Sequence, residues 1–282
     1  MKTAIFVISH GRATYDRLRT LNAFDRCGYT GEYWIVIDDE DQQADLYKQK
    51  YGEKVIQFSK KKYEHVDTCD LIPLHTGTLY VRNALHDIAT EMGYNYYAVF
   101  DDDYVSFRAI FPHDSYLRHA PMKCFDRFVQ AMYDFMDESK LDCVAFAQIG
   151  DFVGGLNSGN INNKEVRRKV MNTFFCSTKR PLNWKGRTNE DVSEYVVGGM
   201  QGRIMMTNYM IAVVPSQTQD LKGGLSQFYR SYGTYMKSMY TVIQAPGAVK
   251  ISVMGDKHPR IHHRAEGVNY TPCILREECR KV

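Results

Sequence analysis

The chain has 282 residues, 44% hydrophobic and 24% charged, with a formal net charge of +3. These are ordinary proportions for a folded soluble protein with a substantial core, and so weak a charge singles out no partner. The apolar run "AIFVIS" is too short for a signal-peptide core or a membrane span, and seven cysteines without a CxxC pair or regular spacing suggest neither a zinc site nor a disulfide framework. A cytoplasmic protein with no membrane partner is expected.

In chain order, the first predicted elements are a strand ("TAIFVIS"), a polar loop ("HGRAT") and a helix over 15–28, where Leu18, Leu21 and Phe24 recur at helical spacing before Gly28. A second strand, "EYWIVIDDED", ends in acids; a polar helix stops at Gly52, and "VIQFS" is a third strand. The stretch "GTLYVRNALHDIATEMGY" predicts a helix with Leu79, Ala84, Leu85, Ile88 and Met92 on its inner face. The strand "NYYAVF" then runs into Asp101, Asp102 and Asp103. Further on, "CFDRFVQAMYDFMDESK" predicts a helix with Phe125, Phe128, Met132 and Phe135 inward, followed by a strand, "LDCVAFAQI". Gly and Asn make 150–165 a loop. A helix is expected from near Asn189, strands around "RIMMTNYMIAVV", and partial helix within 222–240. Alternating strands and helices predict an α/β protein with a mainly parallel sheet flanked by helices.

In such sheets ligands gather beyond the carboxyl ends of the strands. Three predicted strands end there in polar residues: "HGR", "DDED" and "DDD". Adjacent carboxylates repel unless a cation offsets them, so the three aspartates suggest Mn2+ or Mg2+ bridging to a diphosphate. A second charged feature is the segment holding Lys164, Arg167, Arg168, Lys169, Lys179, Arg180, Lys185 and Arg187 against Glu165 alone. Most such runs are solvated surface; the functional reading is a site for a polyanion.

The order "FVISHGR", "WIVIDDED", "LYVRNALHDIATEMGYNYYAVFDDD" resembles the nucleotide-binding half of GT-A glycosyltransferases, and "NWKGRTNEDVSEY" and "HPRIHHR" resemble their acceptor-side loop and late metal-binding histidine. The resemblance implies one Rossmann-like GT-A domain over 1–282, with a nucleotide-sugar half at 1–105 and a mixed, acceptor-binding half at 106–282. It implies a UDP-sugar donor bound by His10, Gly11, Arg12, Asp38, Asp39, Arg82, Asp101 and the ambiguous Asp102. Asp103 would hold the metal with Asp101 and with His262 or His263. Asp191 would be the catalytic base, with Glu190 second, and inversion would follow. Against this, Asn189 followed by two acids also reads as an ordinary helix cap.

With "DDD", "NED" and "HHR" together, the chain is similar to the TET/JBP-associated glycosyltransferases, including phage enzymes that sugar-modify hydroxymethylated pyrimidines. That implies DNA as acceptor, 5-hydroxymethylcytosine or 5-hydroxymethyluracil as the modified base, flipping of that base, and a host cytoplasm for a phage-encoded protein. The basic segment would then bind phosphates, with Trp184, Phe174 and Phe175 available to stack on bases or to pack in the core. A glycosyltransferase for a small-molecule or polysaccharide acceptor is the alternative. A non-catalytic nucleic-acid-binding module leaves the acids unexplained, and "HGRAT" matches a nucleotidyltransferase loop poorly.

Overall fold

A computed structural model describes residues 1–66, 77–158, 161, 169–216, 231, 233, 235–255, 259–270 and 277. Strands β1 (Thr3–Ile8), β2 (Tyr33–Asp38), β3 (Val55–Phe58) and β4 (Tyr96–Asp101) pair in parallel in the order β3-β2-β1-β4. Their near-continuous apolar runs suit strands covered on both faces. Beyond β4 the sheet continues as β8 (Phe174–Ser177), β7 (Cys143–Gln148), β9 (Met205–Pro215), β5 (Tyr104–His113) and β6 (Tyr116–Pro121). Within this nine-stranded sheet β5 and β8 run against the other strands, which makes the second half mixed. A separate antiparallel hairpin joins β10 (Val249–Met254) and β11 (Arg260–Ala265).

The pleat sends alternate residues of β1 into two cores. Ile5 and Val7 face α1 (Arg19–Cys27), α4 (Phe125–Ser139) and Tyr47 of α2 (Ala44–Tyr51). Ala4, Phe6 and Ile8 face α3 (Leu79–Glu91) and α5 (Glu190–Met200), near the packing of α6 (Tyr235–Gln244) and α7 (Gly267–Tyr270). Under the end of β4 the rings of Phe24, Phe100, Phe107 and Phe125 lock together, Phe107 and Phe125 stacked at 4.4 Å. Such contacts add roughly 0.5–1.5 kcal/mol per pair beyond burial. The strand end that delivers the aspartates is therefore held on a rigid base.

Two expectations shift. Helix α1 begins at Arg19 because Leu18 is extended and residues 12–15 turn instead. On α4 the buried face is Phe125, Val129, Met132, Tyr133 and Met136, while Phe135 is 41% exposed. Tyr133 sets that rotation, packing on Phe175 at 5.2 Å and donating to the Ala4 carbonyl at 2.9 Å. No helix among the described residues is long and apolar enough to cross a membrane.

Candidate active site at the carboxyl ends of the strands

Since Ile8 lies level with Asp101 across β1 and β4, the loops after β1, β2 and β4 meet at one edge. After β1 the chain turns at Gly11, whose φ of +67° favours glycine. Its N–H donates to Asp41 at 2.8 Å, and the neighbouring His10 Nδ1 lies 2.8 Å from Asp38 Oδ2. The hydrogen bond to Asp38 raises the imidazole pKa against the effect of burial. Burial also works against ionisation of Asp38, but His10 and Lys60 outweigh it and hold that carboxyl below its usual value. Asp39 accepts from the Lys60 N–H at 3.0 Å, so it ties the loop after β2 to the segment after β3.

The three aspartates divide by environment. Asp102 is 4% exposed and accepts from Ser9 Oγ and Arg12 Nη1, so its side chain belongs to the scaffold. Asp101 accepts from Tyr104 Oη at 3.3 Å; burial, and after it the charge of Glu190, raises its pKa against Arg82. Asp103 is half-buried, as Asp101 is, and lies 3.9 Å from Arg12. Burial and the charges of Asp101 and Asp102 push its carboxyl up to about 7. The backbone below is pinned by Thr20, whose hydroxyl donates to the Asp101 carbonyl at 2.5 Å and accepts from the Tyr104 N–H at 3.0 Å. Ser216 fixes the Asp103 carbonyl through its N–H at 3.0 Å and its hydroxyl at 2.7 Å.

Helix α5 brings the second acidic group. Glu190 is buried against Arg82 at 2.6 Å and accepts from the Thr78 hydroxyl, while the Arg82 guanidinium lies over Phe174 at 4.6 Å and Trp184 at 5.1 Å. Both ends of this pair are committed to each other. Burial and the Glu190 charge push the carboxyl of Asp191, beside it, up to about 6, against Arg82 and Lys237. Asn189 is not a side-chain cap. It sits at φ +54°, and its amide nitrogen lies within hydrogen-bond distance of three groups, the Lys237 carbonyl at 2.9 Å, Thr241 Oγ1 at 3.2 Å and His263 Nδ1 at 2.9 Å. Burial lowers the His263 pKa to about 4, with the charges of His262 and Lys237 adding to it. Ser9, Thr20, Tyr104, Thr78 and Lys237 all shape this region, and none of them forms a sequence motif.

The model of the TET-associated glycosyltransferases matches residues 3–224, spanning β1 through β9 and both acidic groups. The chain belongs to that family. It is accordingly a glycosyltransferase, and its architecture is the GT-A fold. Among solved structures, a mannosyltransferase from Pyrobaculum calidifontis in complex with GDP-Man and Mn2+ is similar, at TM-score 0.50 and 9% identity over 86% of this chain and 64% of that one. Glucosyl-3-phosphoglycerate synthase from Mycobacterium tuberculosis, with Mg2+ and UDP, gives 0.49 and 8% over 94% and 87%. S. aureus TarS 1–349 in complex with UDP gives 0.43 and 12% over 86% and 65%. No curated protein matches the sequence.

In this glycosyltransferase the oxygen donors of Asp101 and Asp103 fit a divalent cation: burial and the charge of Asp101 work against ionisation of Asp103, and burial and the charge of Glu190 against that of Asp101. His262 and His263 do not complete that set: among the described residues no three His, Cys, Asp or Glu side chains converge closely enough to hold a metal ion. The basic segment also differs from a single exposed face. Lys169 pairs with Asp151 at 3.1 Å, Arg180 donates to the Leu141 carbonyl, and Arg187 is 1% exposed. Trp184, Phe174 and Phe175 are core residues. Lys179 and Lys185 are exposed; Lys164, Arg167 and Arg168 lie outside the described residues.

Proposed function

We propose that this glycosyltransferase moves a sugar from a UDP-sugar to the hydroxymethyl group of a modified pyrimidine, 5-hydroxymethylcytosine or 5-hydroxymethyluracil, in DNA. The observation behind the reading is the pairing of the Asp101–Asp103 set with a separate half-buried carboxyl of raised pKa, Asp191, in a chain of the TET-associated family. Asp103 and Asp101 would hold Mn2+ or Mg2+, which when bound neutralises charge on the departing diphosphate. His10 and Asp38, linked by their hydrogen bond, face the nucleoside with Gly11 and Arg12 beside them. Asp191 takes the proton of the acceptor hydroxyl as that oxygen attacks the anomeric carbon, which gives inversion. Arg82 acts through Glu190: the pair keeps a compensated charge beside Asp191 and fixes the start of α5. We assign the protein to the cytoplasm, that of the host if a phage encodes it.

The competing reading, a small-molecule or polysaccharide acceptor, draws on the commitment of Lys169, Arg180 and Arg187 to the fold. UDP release with Mn2+ separates the two. Release from UDP-sugars stimulated by hydroxymethylated duplex and not by unmodified duplex is expected; stimulation by neither, with turnover on a small hydroxylated acceptor, would displace the DNA reading.

A further inference from the structure

The β10–β11 hairpin carries His262 and His263 on its second strand. Its register gives it two faces: Val249, Ile251, Val253, Ala265, His263 and Ile261 on one, and on the other Lys250, Arg264 and Arg260 together with Ser252, His262 and Met254. At its base the first face is built into the protein, with Val249 1% exposed, Ala265 packed on the same core and His263 bonded to Asn189. Toward the tip that face stays apolar but is open to solvent, with Val253 69% exposed opposite Ile261 at 46%. The apolar side chains at that end are therefore left to solvent, while both strands of the hairpin pack on α6. On the opposite face Arg260 and Arg264 are exposed, and neither makes an ion pair among the described residues, whereas Lys250 is held by Glu266 at 3.3 Å.

We propose that this ribbon, rather than the basic segment, is the element that grips DNA, a conclusion that rests on the DNA-acceptor reading above. A two-stranded ribbon has the width of the major groove, unpaired arginines complement phosphates, and apolar side chains fill space where a base has left the stack. Arg260 and Arg264 contact phosphates, and the Val253–Ile261 pair lies against the bases. Its anchor at Asn189, directly before Glu190 and Asp191, joins the ribbon to the acceptor side of the site.

The test is equilibrium binding of 5-hydroxymethylcytosine duplex across a salt series, for the full chain and for two double variants, Arg260→Ala with Arg264→Ala and Lys179→Ala with Lys185→Ala. UDP binding of each variant serves as the control for folding. The arginine variant is expected to lose affinity at least tenfold and to flatten the log–log salt slope by about two, since each lost phosphate contact removes about 0.9. Wild-type slope in that variant, or loss confined to the lysine variant, would overturn the ribbon and leave the acceptor reading standing. Wild-type protein that binds UDP but no duplex would overturn the acceptor reading and the ribbon with it. The double variant Val253→Ser with Ile261→Ser supplies a second check: modification of duplex should fall while modification of single-stranded DNA holds, and wild-type modification of duplex would overturn the placement of this pair against the bases.

Discussion

Asp103 and Asp191 are carboxyls that the fold keeps from ionising easily, at about 7 and about 6. An unfolded aspartate titrates near about 3.9, so between that value and about 7 the folded state binds more protons than the unfolded state. Stability without metal therefore falls as pH rises through this window. A divalent cation needs Asp103 ionised, so Mn2+ should raise the melting temperature more at pH 8 than at pH 6. Calorimetry at the two pH values checks this; an equal or larger shift at pH 6 would contradict the assignment of Asp103. At the base, Asp191→Asn should lower kcat by about 10²–10⁴ while leaving UDP affinity intact, and wild-type turnover should decline below about pH 6. Loss of UDP binding in Asp191→Asn would instead make that residue part of the donor site.

At the scale of elements, the site depends on how α3 and α5 are clasped across the sheet edge. Arg82 and Glu190 form a buried pair, and removing one partner strands the other. Arg82→Met should cost roughly 3–5 kcal/mol in denaturant unfolding. The same change removes a cation that lowers the Asp191 pKa, so the acid limb of the rate profile should move upward. Destabilisation with an unmoved limb would mean that the pair is structural only. The elements also mark how far the sequence could be read. Strands β1, β2 and β4 were legible because strands covered on both faces are continuous apolar runs, and their polar ends announced the loops of the site. The hairpin of β5 and β6 was not, because its exposed and buried residues alternate unevenly across a bulged edge. Acids beside an Asn suggested a helix cap at 189–191, yet Asn189 turns toward α6 and His263, a tertiary choice that no local pattern encodes. Trp184, whose sequence context allowed either bases or the core, lies in the core over Arg82, and the choice was not local because its partners are distant in sequence.

At the scale of the whole molecule, a parallel half presents the loops after β1, β2 and β4, and a mixed half supplies α5 and, beside it, the hairpin. Asp101, Arg82, Glu190 and Asp191 form the electrostatic bridge between the halves, each shifting its neighbour. The two halves thus share one charged seam, and the chemistry proposed for it is transfer from a nucleotide-sugar to a DNA base. Mass spectrometry of nucleosides tests that claim most directly, using hydroxymethylated and unmodified DNA after incubation with Mn2+ and a panel of UDP-sugars. The account predicts the mass of one sugar added to the hydroxymethylated pyrimidine alone, and none with Asp103→Ala. UDP release accompanied by no added mass on any nucleoside would contradict it.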